Sequence, residues 1–275
     1  MTRTYEVATT DVEYARPDGV PLLARMYMPQ GEGPFPAVVE VHGGAWVMND
    51  RLANTAIDQP LAASGVVVMA VDFRMPPQAG YPASIADINL AVRWLKAQAP
   101  KYRIRPNAIG GLGTSSGGHQ LLLSAFKPAD PRYAAHPLAG GHDAALAFLV
   151  LCWPISDPLA RYRMVKAKGN QRLVEAHDAY WPDEAAMAEG NPQAILERGE
   201  AGKLPPAFVL QGTADDNVTP DMADRFVEAY RVAGGRIALE KFSGQPHTFI
   251  PKEPESAASR TALKAIVAFV REQAM

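Results

Sequence analysis

The feature that most constrains this chain is an alternation of two hydrophobic periods. From residue 37 to the end, short β-branched or apolar runs take turns with segments that carry a helical stripe. AVVEV (37–41), GVVVMAVDF (65–73), the residues leading into GGLGTSSGGH (110–119), AALAFLVLCW (144–153), PPAFVLQG (205–212) and RIALEKF (236–242) read as strands. Residues 54–63, 84–98, 117–126, 220–233 and 256–273 read as helices. In 84–98 the stripe is explicit, with Ile85, Ile88, Ala91, Val92 and Leu95 on one side and Pro100 just past the end. Strands separated by helices must run parallel, and a parallel sheet needs helices on both faces. Residues 4–14 and 22–28 alternate as two further strands around the turn Pro17-Asp18-Gly19-Val20-Pro21. The expectation is one α/β domain over residues 1–275 with a mostly parallel central sheet.

One stretch breaks the rhythm. Residues 154–204 are rich in charged and aromatic side chains and contain no clear strand. An excursion of that length between core strands usually serves as a lid or a binding wall. A small cap insertion is therefore expected there, the alternative being a peripheral helical insertion that never meets substrate.

Composition excludes several classes of partner. Lys and Arg number 27 against 29 Asp and Glu, a formal net charge of -2, and no dense basic run occurs. That balance gives no electrostatic footprint for nucleic acid or an anionic membrane. No apolar run approaches membrane-spanning length, and the N-terminal stretch lacks the apolar segment of a signal peptide. Cys152 is the single cysteine, so an intramolecular disulfide is excluded, and its apolar neighbours make it a core side chain. The expected location is cytoplasmic.

Gly113-Thr114-Ser115-Ser116-Gly117 fits G-x-S-x-G at a strand-to-helix junction. There a sharp turn would project Ser115 as an exposed nucleophile. No Lys-Ser/Thr pair follows the glycines, so the phosphate-binding P-loop pattern fails. A serine hydroxyl needs a base and a group that orients the base. Asp215 and Asp216 follow one later strand and His247 follows the next, on loops expected at the same sheet edge as Ser115. The order Ser, Asp, His is that of the α/β-hydrolases. His42-Gly43-Gly44-Ala45-Trp46 follows the strand AVVEV and can aim backbone N–H groups at a substrate oxygen. His136, His142 and His177 have no metal-ligand spacing, so no metal is expected. His119 reads as a packing or hydrogen-bonding residue. Trp46, Met75 and Trp153 lie near the expected loops as apolar pocket walls, with burial in the core as the alternative.

HGGAW, VDFRMPP (71–77), YPASIADINLAVRWL (81–95), GTSSGG, LPPAFVLQGTADDNV and PHTF occur in that order between about residues 36 and 249. In this the sequence resembles the hormone-sensitive-lipase-like and acetyl-esterase branches of the α/β-hydrolase superfamily. The resemblance implies the α/β-hydrolase fold, Ser115 as nucleophile, His247 as general base and Asp215, rather than Asp216, as its orienting acid. It implies backbone N–H groups of Gly43, Gly44 and Ser116 as oxyanion donors, His42 as a brace of that loop and Asp87 as a structural carboxylate. Ala45 departs from the pattern by replacing a third glycine.

The activity so implied is cofactor-free hydrolysis of small, short-acyl carboxylic esters through an acyl-enzyme. An arylformamidase or other small-amide hydrolase is the alternative. A non-catalytic ligand-binding protein of the same fold would require a broken triad. The expected partner is a small-molecule ester, with no nucleic acid and no membrane, and a homodimer stays open.

Overall fold

The computed structural model describes residues 4–274. One eight-stranded sheet forms the centre, built from β1 (Val7–Ala15), β2 (Leu22–Pro29), β3 (Phe35–Val41), β4 (Val67–Val71), β5 (Ile104–Thr114), β6 (Leu149–Cys152), β7 (Ala207–Gly212) and β8 (Ile237–Phe242). Their spatial order is β1-β2-β4-β3-β5-β6-β7-β8. The short turn between β1 and β2 forces an antiparallel pair, and β2 also meets β4 antiparallel. Every pair from β4 through β3 to β8 is parallel.

Side-chain alternation along the strands divides the core in two. Val39, Val41, Met69 and Val71 face one layer with α2 (Ala83–Ala97), α3 (Ser116–Phe126) and α8 (Pro220–Val232). Val38, Val68, Ala70 and Leu112 face the other, where α1 (Thr55–Ala63) and α10 (Ala257–Gln273) pack. The mostly parallel sheet with helices on both faces is the architecture expected from the alternation. The strand read at 144–153 is shorter, Leu149–Cys152, because only those residues pair in register with both β5 and β7.

Between β6 and β7 lie α4 (Pro158–Ala167), α5 (Gln171–Tyr180), α6 (Glu184–Glu189) and α7 (Pro192–Glu197). Each begins on a short polar side chain that accepts a backbone N–H three residues on. The pairs are Asp157 with Ala160, Asn170 with Leu173, Asp183 with Ala186, and Asn191 with Ala194. Pro158 and Pro192 occupy first-turn positions, where no N–H is required. The apolar faces of these helices gather Tyr162, Val165, Leu173, Tyr180, Trp181 and Met187 around Trp46. Among the described residues, no helix is long and apolar enough to cross a membrane.

Candidate functional site

The chain turns sharply where β5 enters α3. Ser115 sits at that turn with φ 51° and ψ −118°, a conformation costly for a residue with a Cβ. The glycines on either side are sterically required. A Cβ on Gly117 would stand 2.1 Å from the Val41 carbonyl oxygen, and one on Gly113 would stand 2.7 Å from the Gly118 Cα. The motif is thus the consequence of helix and strand passing at backbone contact. Hydrogen bonds lock the turn, with Ser115 N–H donating to the Cys152 carbonyl and Ile155 N–H donating to the Ser115 carbonyl.

Asp215 stands in the loop after β7, and His247 in the loop between β8 and α9 (Phe249–Lys252). His247 Nε2 lies 2.9 Å from Ser115 Oγ, and His247 Nδ1 lies 2.7 Å from Asp215 Oδ2. Gln211 Nε2 donates to the same Asp215 oxygen at 3.0 Å. Asp215 Oδ1 accepts from the N–H groups of Asn217 and Val218 at 3.0 and 2.8 Å. The buried carboxylate is therefore an acceptor at every contact, which suits an ionised group. Asp216 is exposed, and only its backbone carbonyl is engaged, by Lys168 Nζ.

The loop after β3 contributes backbone donors, although not the set expected. Gly43 N–H already donates to Thr114 Oγ1 at 2.8 Å, which removes it from the free donors. Among the described residues, the N–H groups of Gly44, Ala45 and Ser116 meet no protein acceptor. The N-terminus of α3 adds its positive dipole end. Thr114 is itself held, because Asn54 Nδ2 reaches its hydroxyl at 3.0 Å and Glu40 Oε1 at 2.7 Å. Burial raises the pKa of Glu40 well above the usual carboxylate range, and also that of neighbouring Asp58. This chain from Glu40 through Asn54 and Thr114 to Gly43 has no contiguous motif, since β3, α1 and β5 each supply a part.

Two histidines outside this constellation, His42 and His119, act as struts. His42 stacks on Phe73 with ring centroids 4.4 Å apart and its Nδ1–H donates to the Gly43 carbonyl. His119 accepts from Trp46 Nε1 at 3.1 Å and its Nε2–H donates to the Gly190 carbonyl at 2.8 Å. Burial lowers its pKa to about 4, so the ring is neutral as that pattern requires. Asp87 is buried against Arg74, which donates through its backbone N–H, Nε and Nη2. Burial raises the Cys152 thiol far above its ordinary range, so it is inert.

A cleft of about 410 Å³ opens beside Ser115 and His247. Gly44, Ala45, Arg161, Arg172 and Leu173 are among its walls. The apolar walls expected from the sequence are elsewhere. Trp46 is buried, stacked on Tyr180 at 5.4 Å, and joins the oxyanion-side loop to the helical segment. Trp153 is buried edge-on to Phe249 at 5.3 Å. Met75 packs on the main core. All three have apolar partners to bury against, so packing claims them. A larger depression of about 850 Å³ near Gly33, Gly65 and Arg103 lies at the amino ends of the parallel strands. In open α/β sheets ligands bind at the carboxyl ends, where Ser115 is. Among the described residues, no group of three His, Cys, Asp or Glu side chains could hold a metal.

The BD-FAE family model matches residues 25–230. The chain belongs to the BD-FAE family. Curated proteins similar to it are named as ester hydrolases. Over 226 residues it is 28% identical to esterase LipC of Mycobacterium tuberculosis, a match covering 78% of this chain and 53% of that protein. Over 253 residues it is 29% identical to ethyl acetate hydrolase of Pseudomonas putida, covering 88% and 75% respectively. The chain spans about half the length of the first of these relatives. Among solved structures, a thermophilic esterase of Thermogutta terrifontis superposes with a TM-score of 0.77 at 24% identity, covering 98% of this chain and 95% of that one. This BD-FAE chain accordingly has the α/β-hydrolase fold that its motifs implied.

Proposed function

We propose that this protein is a serine carboxylic ester hydrolase that acts on small esters through an acyl-enzyme. The observation that carries the reading is the continuous hydrogen-bonded chain from Ser115 Oγ through His247 to Asp215. In this reading His247 Nε2 takes the Ser115 proton as Oγ attacks the ester carbonyl, then returns it to the departing alcohol. Water, activated by the same nitrogen, releases the acid. Asp215 holds Nδ1–H and stabilises the imidazolium formed in each half-reaction.

The oxyanion is received by the N–H groups of Gly44, Ala45 and Ser116, each contributing on the order of 3 kcal/mol to the transition state. Gly43 positions that loop through Thr114. Ala45 in place of glycine still offers its N–H, although its φ of 51° is a backbone conformation that favours glycine. The segment α4–α7 acts as a small cap on a single domain, supplying Arg161, Arg172 and Leu173 to the cleft.

A short-acyl preference fits the cleft volume and its polar walls, and one relative is named for ethyl acetate hydrolysis. Each methylene left outside would forfeit about 0.8 kcal/mol of burial. A series of p-nitrophenyl esters from acetate to decanoate tests the proposal, with N-formylkynurenine as the amide comparison. The expected result is kcat/KM highest at acetate to butyrate and falling steeply beyond about six carbons. Decanoate as the best substrate would remove the small-pocket reading, and N-formylkynurenine turned over ahead of every ester would favour the amidase.

A further inference from the structure

The cleft beside Ser115 carries more positive charge than a neutral ester requires. Arg161 forms part of its wall, yet the residue is fully buried. Its Nε–H and one Nη2–H go to Asn217, and one Nη1–H goes to His177 Nε2 at 3.4 Å. His177 Nδ1–H donates to the Leu173 carbonyl, so Nε2 must be the acceptor and the ring is neutral. A guanidinium has five N–H donors, which leaves one on each terminal nitrogen without an acceptor among the described residues. The Trp46 ring covers the group, with the guanidinium carbon 5.7 Å from the ring centroid.

No carboxylate pairs with this buried cation among the described residues. Asp215 is the acid whose charge it senses, and both Asp215 oxygens are occupied by His247, Gln211, Asn217 and Val218. A buried charge without a counter-ion is costly and is ordinarily neutralised or paired. Burial lowers Arg161 only to about 10, so it remains charged at neutral pH.

The rim adds to the imbalance. Arg172 is exposed on α5 with no ion pair among the described residues, and its charge is felt at Arg161. Lys252 is exposed on the far side, its Nζ held 3.0 Å from the His247 carbonyl oxygen. Against these cations the rim has one free acid, Asp216. The chain as a whole is slightly acidic, so this positive surface is local.

We propose that the cleft takes esters carrying a carboxylate of their own, the half-ester of a dicarboxylic acid being the simplest, with that carboxylate drawn to Arg172 at the rim by its charge and by the field of the buried Arg161 behind the wall. The inference rests on the ester-hydrolase reading and gives it a substrate class. The chemistry is unchanged. Ser115 Oγ forms the acyl bond as the alcohol leaves with the proton from His247, and water then releases the dicarboxylate.

Monoethyl succinate, diethyl succinate and ethyl butyrate, compared by kcat/KM at neutral pH, provide the test. The half-ester should exceed ethyl butyrate by about tenfold or more at low salt, and the ratio should shrink as the Debye length falls toward about 3 Å near 1 M salt. Arg172→Glu should lower the half-ester to butyrate ratio by at least about tenfold, since it reverses a rim charge. Hydrolysis of ethyl butyrate with no preference for the half-ester would overturn this proposal and leave the ester-hydrolase reading standing. No hydrolysis of any of the three would overturn both. An unchanged ratio in Arg172→Glu would overturn the assignment to this cleft.

Discussion

The carboxyl edge of the sheet and the helical segment beside it are held together by different forces. At the sheet edge, position comes from backbone. Ser115 is pinned by a strained turn and two ladder-like hydrogen bonds, Asp215 by two backbone N–H groups, and the oxyanion-side loop by Gly43 and Thr114. In α4–α7, position comes from side chains, with four polar caps and an aromatic cluster centred on Trp46 and Tyr180. Backbone contact tolerates almost no substitution, whereas packed side chains can be exchanged for others of similar volume. The first arrangement suits bond chemistry, which needs sub-ångström placement. The second suits a wall that selects substrate.

If that division is right, variants in the two regions should fail in different ways. The largest effect is expected at Asp215→Asn, which would hold the wrong His247 tautomer toward Ser115 and lower kcat by roughly 10⁴. Asp216→Asn, on the exposed neighbour, should stay within about tenfold, because only its backbone is bonded to protein. Steady-state kinetics of the pair settles the matter, and equal losses would break the comparison.

Thr114→Val is next. It leaves Gly43 N–H without its buried acceptor and Asn54 Nδ2 with Glu40 alone, so the oxyanion-side loop should loosen. The expected outcome is a fall in kcat of about 10- to 100-fold with little change in KM, less than direct removal of an oxyanion donor. Thr114→Ser should recover most of the rate. A Val variant as active as the parent would show that Gly43 needs no anchor.

The smallest effect is expected in the helical segment. Asp157→Ala removes the cap of α4 and should cost about 1 kcal/mol, a Tm shift of about 2–4 °C for a domain of this size. Its kcat for p-nitrophenyl acetate should stay within about twofold, because the cap touches no reacting group. A loss as large as that of Thr114→Val would mean that α4–α7 takes part in the chemistry and is more than a wall.

The two regions also differ in how far they can be read from sequence. Gly113, Ser115 and Gly117 are contiguous because the steric demand that selects them is local, and Asp215 and His247 stand just after strands for the same reason. The helical segment carried its own signals in Asp157-Pro158, Asn170, Asp183 and Asn191-Pro192, which mark four helix starts. What those helices bury was not legible. For Trp46, read as a pocket wall or as core, the structure gives the core, and the partner it found there, Tyr180, comes from a distant part of the chain. The anchoring of Gly43 by Thr114 was equally hidden, since nothing local says that a side-chain hydroxyl will take that N–H.

Ser115 should be the one activated serine in a run that also holds Ser116, with Ser124 farther along the same helix. Labelling with a fluorophosphonate followed by peptide mapping tests this most directly. A single adduct on Ser115 is expected, formed much more slowly in Asp215→Asn because the base is then misoriented. An adduct on Ser116 or Ser124, or labelling of Ser115 at an undiminished rate in Asp215→Asn, would contradict it.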